Sequence, residues 1–230
     1  ISGKVFDATY LINQLLNDKK NDDTTFFSNN FSSNVKIEID KTYLDNLTYL
    51  NNVNGDLVYK KNKLVELNLA SEFPSNKKIT LTIKTNENTK EKVTSLFSGY
   101  AKPLVKKYKF IKGFEEGTLD FSSIKKNNSS RSQLKIYDFK LNELPALTKI
   151  LTLASLQGIA DLLTGEGIRF NEFEMNFSNK GDLLTIDEIY AIGPAISILM
   201  KGYVESDNLV SLRGTLVPAT TLNKVIGSIP

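Results

Sequence analysis

The chain has 230 residues, of which 40% are hydrophobic and 24% charged, and its formal net charge is +3. These values are typical of a folded soluble domain rather than a disordered tail. The sequence contains no Cys, His or Trp. That composition excludes thiol nucleophiles, Ser/His/Asp triads and metal sites built from Cys or His. Basic residues occur in separate short clusters, so we expect no nucleic-acid groove.

Carboxylates and lysines are the remaining candidates for catalysis, as in a hydrolase or transferase. Two pairs of acids are adjacent in sequence, Glu115 with Glu116 and Asp187 with Glu188. Neighbouring residues in a strand point to opposite faces, so neither pair forms a natural catalytic dyad. We therefore expect no enzymatic activity, no catalytic residues, no metal and no cofactor.

The first 100 residues predict three short helices among strands. Residues 4–7 are strand-like, a helical pattern follows near 9–17, and residues 21–34 are polar and rich in turn formers. A second helix is predicted near 41–50, with Asp40 able to cap it. A third is predicted near 90–100, where Val93, Leu96 and Phe97 have amphipathic spacing.

Most segments after residue 34 alternate apolar and polar residues, as half-buried strands do. This alternation predicts a mainly β fold, an extensive antiparallel sheet with one apolar and one polar face. For any single residue, ordinary core is the better interpretation, but the set exceeds what one helix can cover. Apolar surface left uncovered would suit acyl chains. The candidate lining residues are Val65, Leu67, Leu69, Ile79, Leu81, Ile83, Phe173, Met175, Phe177, Ile196, Ile198 and Met200.

A weak internal repeat accompanies the strands. Gly55, Gly117 and Gly181 begin similar tripeptides at nearly equal intervals, each expected to open a strand after a turn. Equal intervals suggest a repeated β module. We take 1–116 and 117–230 as possible sub-modules.

The longest predicted helix covers about 145–163 and is apolar around most of its circumference. Pro145 suits its first turn, and Gly165 suits its end. Lys149 and Asp161 argue against a free membrane span, because each would be costly in hydrocarbon. We therefore expect the helix to pack on the apolar sheet face, and whether it fills or flanks that face stays open. Its expected contact residues are Leu147, Ile150, Leu151, Ala154, Ile159 and Leu162.

Several phrases of the sequence carry a family resemblance. These are LTKILTLASLQGIADLLTGEGIRF at 147–170, LLTIDEIYAIGPAISILMKGYV at 183–204 and GTLVPATTLNKVIGSIP at 214–230. In this order they resemble the AsmA-like C-terminal region of the AsmA/TamB/YhdP family. The upstream phrases GKVFDATYLINQLL and FSGYAKPLVKKYKFIKGFEEGTLDF are similar to phrases of the same region. The resemblance covers most of the chain and is strongest from about residue 134.

The resemblance implies a bridge-like lipid transfer protein of the diderm bacterial envelope. Such a protein is periplasmic and anchored to the inner membrane, and its curved, repeated antiparallel sheets form a groove for phospholipid acyl chains. Contacts with the inner and outer membranes are expected through parts outside this chain, which begins at Ile1 and reads as a fragment of a longer protein. The alternative is a structural or assembly factor for outer-membrane biogenesis, with a filled core and no lipid conduit.

Overall fold

The computed structural model describes residues 1–10, 32–61, 63–106, 112–143, 167–205 and 209–218. These residues are predominantly strand, which confirms the predicted mainly β fold. The strands are β1 (Ser2–Asp7), β2 (Ser33–Tyr43), β3 (Tyr49–Lys60), β4 (Lys63–Glu72), β5 (Lys78–Thr85), β6 (Glu91–Ser98), β7 (Lys112–Lys126), β8 (Ser129–Glu143), β9 (Ile168–Lys180), β10 (Leu183–Ile192), β11 (Ile196–Val204) and β12 (Val210–Pro218). A four-residue helix, α1 (Lys102–Val105), precedes β7.

The twelve strands form one mixed sheet whose spatial order follows the chain from β1 to β12. β1 pairs with β2 in parallel. The pairs from β2 through β6 and from β8 through β12 are antiparallel. A parallel pair needs a long crossover, and the sequence between β1 and β2 has that length, whereas the antiparallel pairs β2–β3 and β4–β5 are joined by short turns. Among these pairs, the prediction of an antiparallel sheet fails at β1.

The predicted helix near 41–50 is wrong, because the chain makes a hairpin there. Residues 41–43 complete β2, and residues 49–50 begin β3. The Asp45 carboxylate accepts hydrogen bonds from the backbone N–H groups of Leu47 and Thr48, at 2.9 and 2.8 Å. An Asp side chain that accepts from the amides two and three residues later stabilises a turn. The acid that organises this segment is thus Asp45 in a turn rather than Asp40 at a helix cap.

The predicted helix near 90–100 is also wrong, because Glu91–Ser98 is strand β6. The spacing of Val93, Leu96 and Phe97 fits a helix face, but in the strand Val93 and Phe97 are exposed on one side and Leu96 lies on the other. Asn86 sets up the preceding hairpin, since its side-chain oxygen accepts from the amides of Asn88 and Thr89. Tertiary pairing overrides the local pattern here.

Two of the predicted helices fall largely or wholly where the structure is not described. Of the helix near 9–17, Thr9 and Tyr10 are described and helical. The long helix at 145–163 lies outside the described residues, as do its expected contact residues Leu147, Ile150, Leu151, Ala154, Ile159 and Leu162.

The chain divides into two compact units. The first consists of Ile1–Gly99 and Ser122–Asn127, and the second of Tyr100–Phe121 and Asn128–Pro230. The predicted boundary between sub-modules at 116 and 117 lies inside β7 and stays a prediction. The first unit has its most buried large side chain at Phe73, just after β4. In the second, Ile168, Phe170 and Ile196 are each at most 2% exposed.

The three glycines of the proposed repeat occupy different environments. Gly181 lies in the turn between β9 and β10, as predicted, with φ of 62°. Gly55 lies inside β3 and Gly117 inside β7, so neither opens a strand. Gly117 has φ of 78°, and a Cβ there would stand 3.1 Å from the Cβ of Phe139. That position therefore requires glycine for both conformation and space.

Candidate apolar sheet faces

The first unit carries an apolar sheet face. Leu67 pairs directly with Leu57 and Ile83, and Leu69 pairs with Leu81. Directly paired residues of antiparallel strands point to the same side. Register and alternation therefore place five of the six predicted residues of this unit together, whereas Val65 is the extra residue at the register shift between β3 and β4. We call this set the first apolar face; it consists of Val35, Ile37, Ile39, Val53, Leu57, Leu67, Leu69, Ile79, Leu81, Ile83 and Leu96.

The first apolar face is only partly closed. Leu67 and Ile79 are buried, whereas Leu69, Leu81 and Ile83 are half-buried. A half-buried aliphatic side chain keeps surface from which further burial would gain free energy. The exposed remainder of these side chains can contact an apolar ligand.

The opposite side of the same strands is polar. Glu66 on β4 lies 3.6 Å from the ammonium group of Lys84 on β5, and the side-chain amide of Asn68 donates to it at 3.0 Å. The pKa of Glu66 is lowered, first by the hydrogen bond from Asn68 and second by the charge of Lys84. The carboxylate stays ionised and hydrated on this side, so the two faces of the sheet differ sharply in polarity.

The second unit carries a corresponding face. Met175 pairs with Leu134 and with Ile189, and Ile189 pairs in turn with Met200. A neighbouring row runs from Phe173 through residues of β10 and β11 to β12. The second apolar face consists of Leu134, Ile136, Phe173, Met175, Phe177, Ile186, Ile189, Ala191, Ile198, Met200 and Leu216.

The predicted residues of the second unit differ in accessibility. Phe173, Met175 and Met200 are half-buried, as is Phe177. Ile198 is buried, and Ile196 is 0% exposed. Ile196 therefore contributes packing rather than contact surface, and the accessible part of the row lies nearer Met175 and Met200.

Sequence reasoning missed the β10 members of this face, Ile189 and Ala191. They connect β9 to β11, yet the register of β10 shifts between Ile186 and Ile189. A β-bulge inserts one extra residue and so breaks the alternation on which a strand pattern depends. The adjacent acids Asp187 and Glu188, exposed at the shift, are the only local signal of it.

An aromatic stack closes one end of the second apolar face. The Phe139 ring lies 5.3 Å from each of the Phe114 and Phe170 rings, nearly parallel to both, and 6.4 Å edge-on from Phe173. Phe139 is 3% exposed. Because Phe173 also belongs to the second apolar face, that face runs continuously into the fully packed core.

The polar side of the second unit holds a hydrogen-bonded network around Glu174, whose side chain is 13% exposed. Glu174 pairs with Lys135 at 3.0 Å and accepts from the amides of Gln133 and Asn176, both at 2.8 Å. The Asn176 bond is the largest cause that lowers the pKa of Glu174, followed by Lys135. Cross-strand polar contacts of this kind stabilise register.

Tyr190 lies beside this network on β10. Its hydroxyl is hydrogen-bonded to the Glu172 carboxylate, which with burial raises the pKa of Tyr190 to about 12. The phenol therefore stays protonated well above neutral pH. It acts as a hydrogen-bond donor within the sheet.

The two members of one acid pair considered for catalysis, Glu115 and Glu116, contact different cations. Glu116 accepts two hydrogen bonds from the Arg169 guanidinium, both at 3.0 Å, and the pKa of Glu116 is lowered chiefly by this contact. Glu115 instead lies 4.0 Å from Lys102. Within the described ranges, no group of three or more acids is placed to hold a metal ion. Over the same residues, no helix has the length and apolar character needed to cross a membrane.

Comparison of the chain with protein-family models, with curated proteins and with solved structures finds no match.

Proposed function

We propose that this chain is a non-enzymatic segment of an AsmA-like protein that binds or conducts phospholipids along an apolar β-groove. In this proposal the sheet curves so that its apolar side forms the groove. The full-length protein is periplasmic, anchored in the inner membrane, and carries lipid between the inner and outer membranes. The ligand is the acyl chain, and no nucleic acid, cofactor or metal is involved.

One observation carries the proposal: apolar rows continue across neighbouring strands while their side chains remain half-buried. In the first unit Leu69 and Leu81 form such a row, and in the second Met175, Ile189 and Met200 do. Of these five side chains, only Ile189 is buried. The side chains within these rows are apolar and offer only non-directional contact, although Ser71 and Asn179 lie on the same side of their strands by register.

Such a surface suits movement as well as binding. Burial of an acyl chain is worth roughly 0.8 kcal/mol per methylene, so several methylenes outweigh the loss of hydration. Because no single hydrogen bond fixes the position of the chain, neighbouring positions have similar free energies. A lipid can then slide from one row to the next without chemistry.

The proposal is tested by photo-crosslinking at adjacent residues of one strand. A photoreactive amino acid replaces Leu81, with Thr80 as the matched control, and in separate proteins replaces Met200, with Lys201 as control. Thr80 and Lys201 are exposed on the opposite side. Glu174 would be a poor control because three side chains bond to it. The full-length protein is expressed in a diderm envelope, and adducts are identified by mass spectrometry.

Phospholipid adducts at 81 and 200, without adducts at 80 and 201, are expected. A folded protein that gives no adduct at either apolar site would overturn the proposal. Equal adducts on both sides of a strand would show non-specific exposure to membrane and would also contradict it.

The alternative is a scaffold or assembly factor, and the aromatic stack is the observation that favours it. Phe114, Phe139 and Phe170 fill one end of the second apolar face with the chain's own side chains. If the half-buried rows are filled in the same way in the full-length protein, no acyl chain can enter. Absence of adducts at 81 and 200 is the result expected from this alternative.

A further inference from the structure

We draw no further inference here: the strongest candidate, the side-chain cluster of Lys41, Tyr43 and Tyr49 beside the hairpin turn of β2 and β3, carries none, because register places the Asp7 carboxylate beside Tyr43 on the same side and nothing in the structure shows what covers the cluster.

Discussion

The aromatic stack of the second unit and the aliphatic rows of the first are both built from apolar side chains, but they differ in how completely the protein buries them. Phe139 is almost completely buried between two parallel rings. Leu69 and Leu81 pair across β4 and β5 but remain half-buried. Apolar residues alone therefore do not define a binding surface. What distinguishes the rows is the part of each side chain that the protein itself leaves uncovered.

This difference separates residues that hold the fold from residues that can serve a ligand. A fully packed side chain loses both its burial and its neighbours when it is truncated, because interiors relax only partly. Truncation of a half-buried side chain removes less buried surface and fewer contacts. Truncation should therefore lower the free energy of unfolding more in the aromatic stack than in the aliphatic rows. Lipid contact should instead be greater in the aliphatic rows.

The largest effect is expected for Phe139→Ala. Removal of the central ring leaves a cavity between Phe114 and Phe170, and Phe→Ala changes at such sites cost about 3–5 kcal/mol. Urea denaturation followed by circular dichroism measures the change. A loss below about 1 kcal/mol would mean that the stack is not a packing centre, and that it does not differ in this respect from the half-buried aliphatic rows.

A smaller effect is expected when leucines of the first apolar face are compared with each other. Leu67→Ala removes a buried side chain and should cost about 2–4 kcal/mol, whereas Leu81→Ala removes a half-buried one and should cost about 1–2 kcal/mol. Both residues lie on the same face in neighbouring strands, so they form a matched pair. Equal losses of unfolding free energy would show that the protein itself closes this face at Leu81 and would weaken the lipid proposal.

Sequence reasoning could predict the strands of this protein better than its helices. The alternation at 65–69, 79–83 and 173–177 lies in β4, β5 and β9, because a half-buried strand imposes a period of two over its whole length. The segment near 90–100 failed for a related reason. Apolar residues at 93, 96 and 97 have the spacing of a helix face, and pairing with β5 overrides that spacing.

Residues of the candidate site could be predicted where apolar and polar residues alternate without interruption, but not where a bulge interrupts the alternation. Leu67 and Leu81 could be identified because neighbouring positions confirm their side of the strand. Ile189 could not, since the bulge before it shifts β10 by one residue relative to β11. The accessibility of each side chain could not be predicted from the sequence. Ile196 and Met200 belong to the same alternating pattern and differ only in what packs against them.

The smallest effect is expected on the polar side of the second unit, where stability depends on a proton rather than on packing. The pKa of Tyr190 is raised from 10.0 to about 12, first by its hydrogen bond to Glu172. The folded state therefore keeps this proton between about pH 10 and pH 12, while the unfolded chain loses it. The stability contributed by Tyr190 is complete below pH 10 and is lost as the pH rises through that window.

Tyr190→Phe, which has no phenolic proton, should flatten the decline in unfolding free energy over this window relative to the unsubstituted chain. Glu172→Gln should do the same in part, because it removes the charge that holds the proton. Urea midpoints measured at intervals from pH 9 to pH 11.5 give the slopes, and other titrating groups cancel in the comparison. Identical slopes for all three proteins would mean that Tyr190 and Glu172 are not coupled, and that the polar side of β9 and β10 is held by the Glu174 network alone.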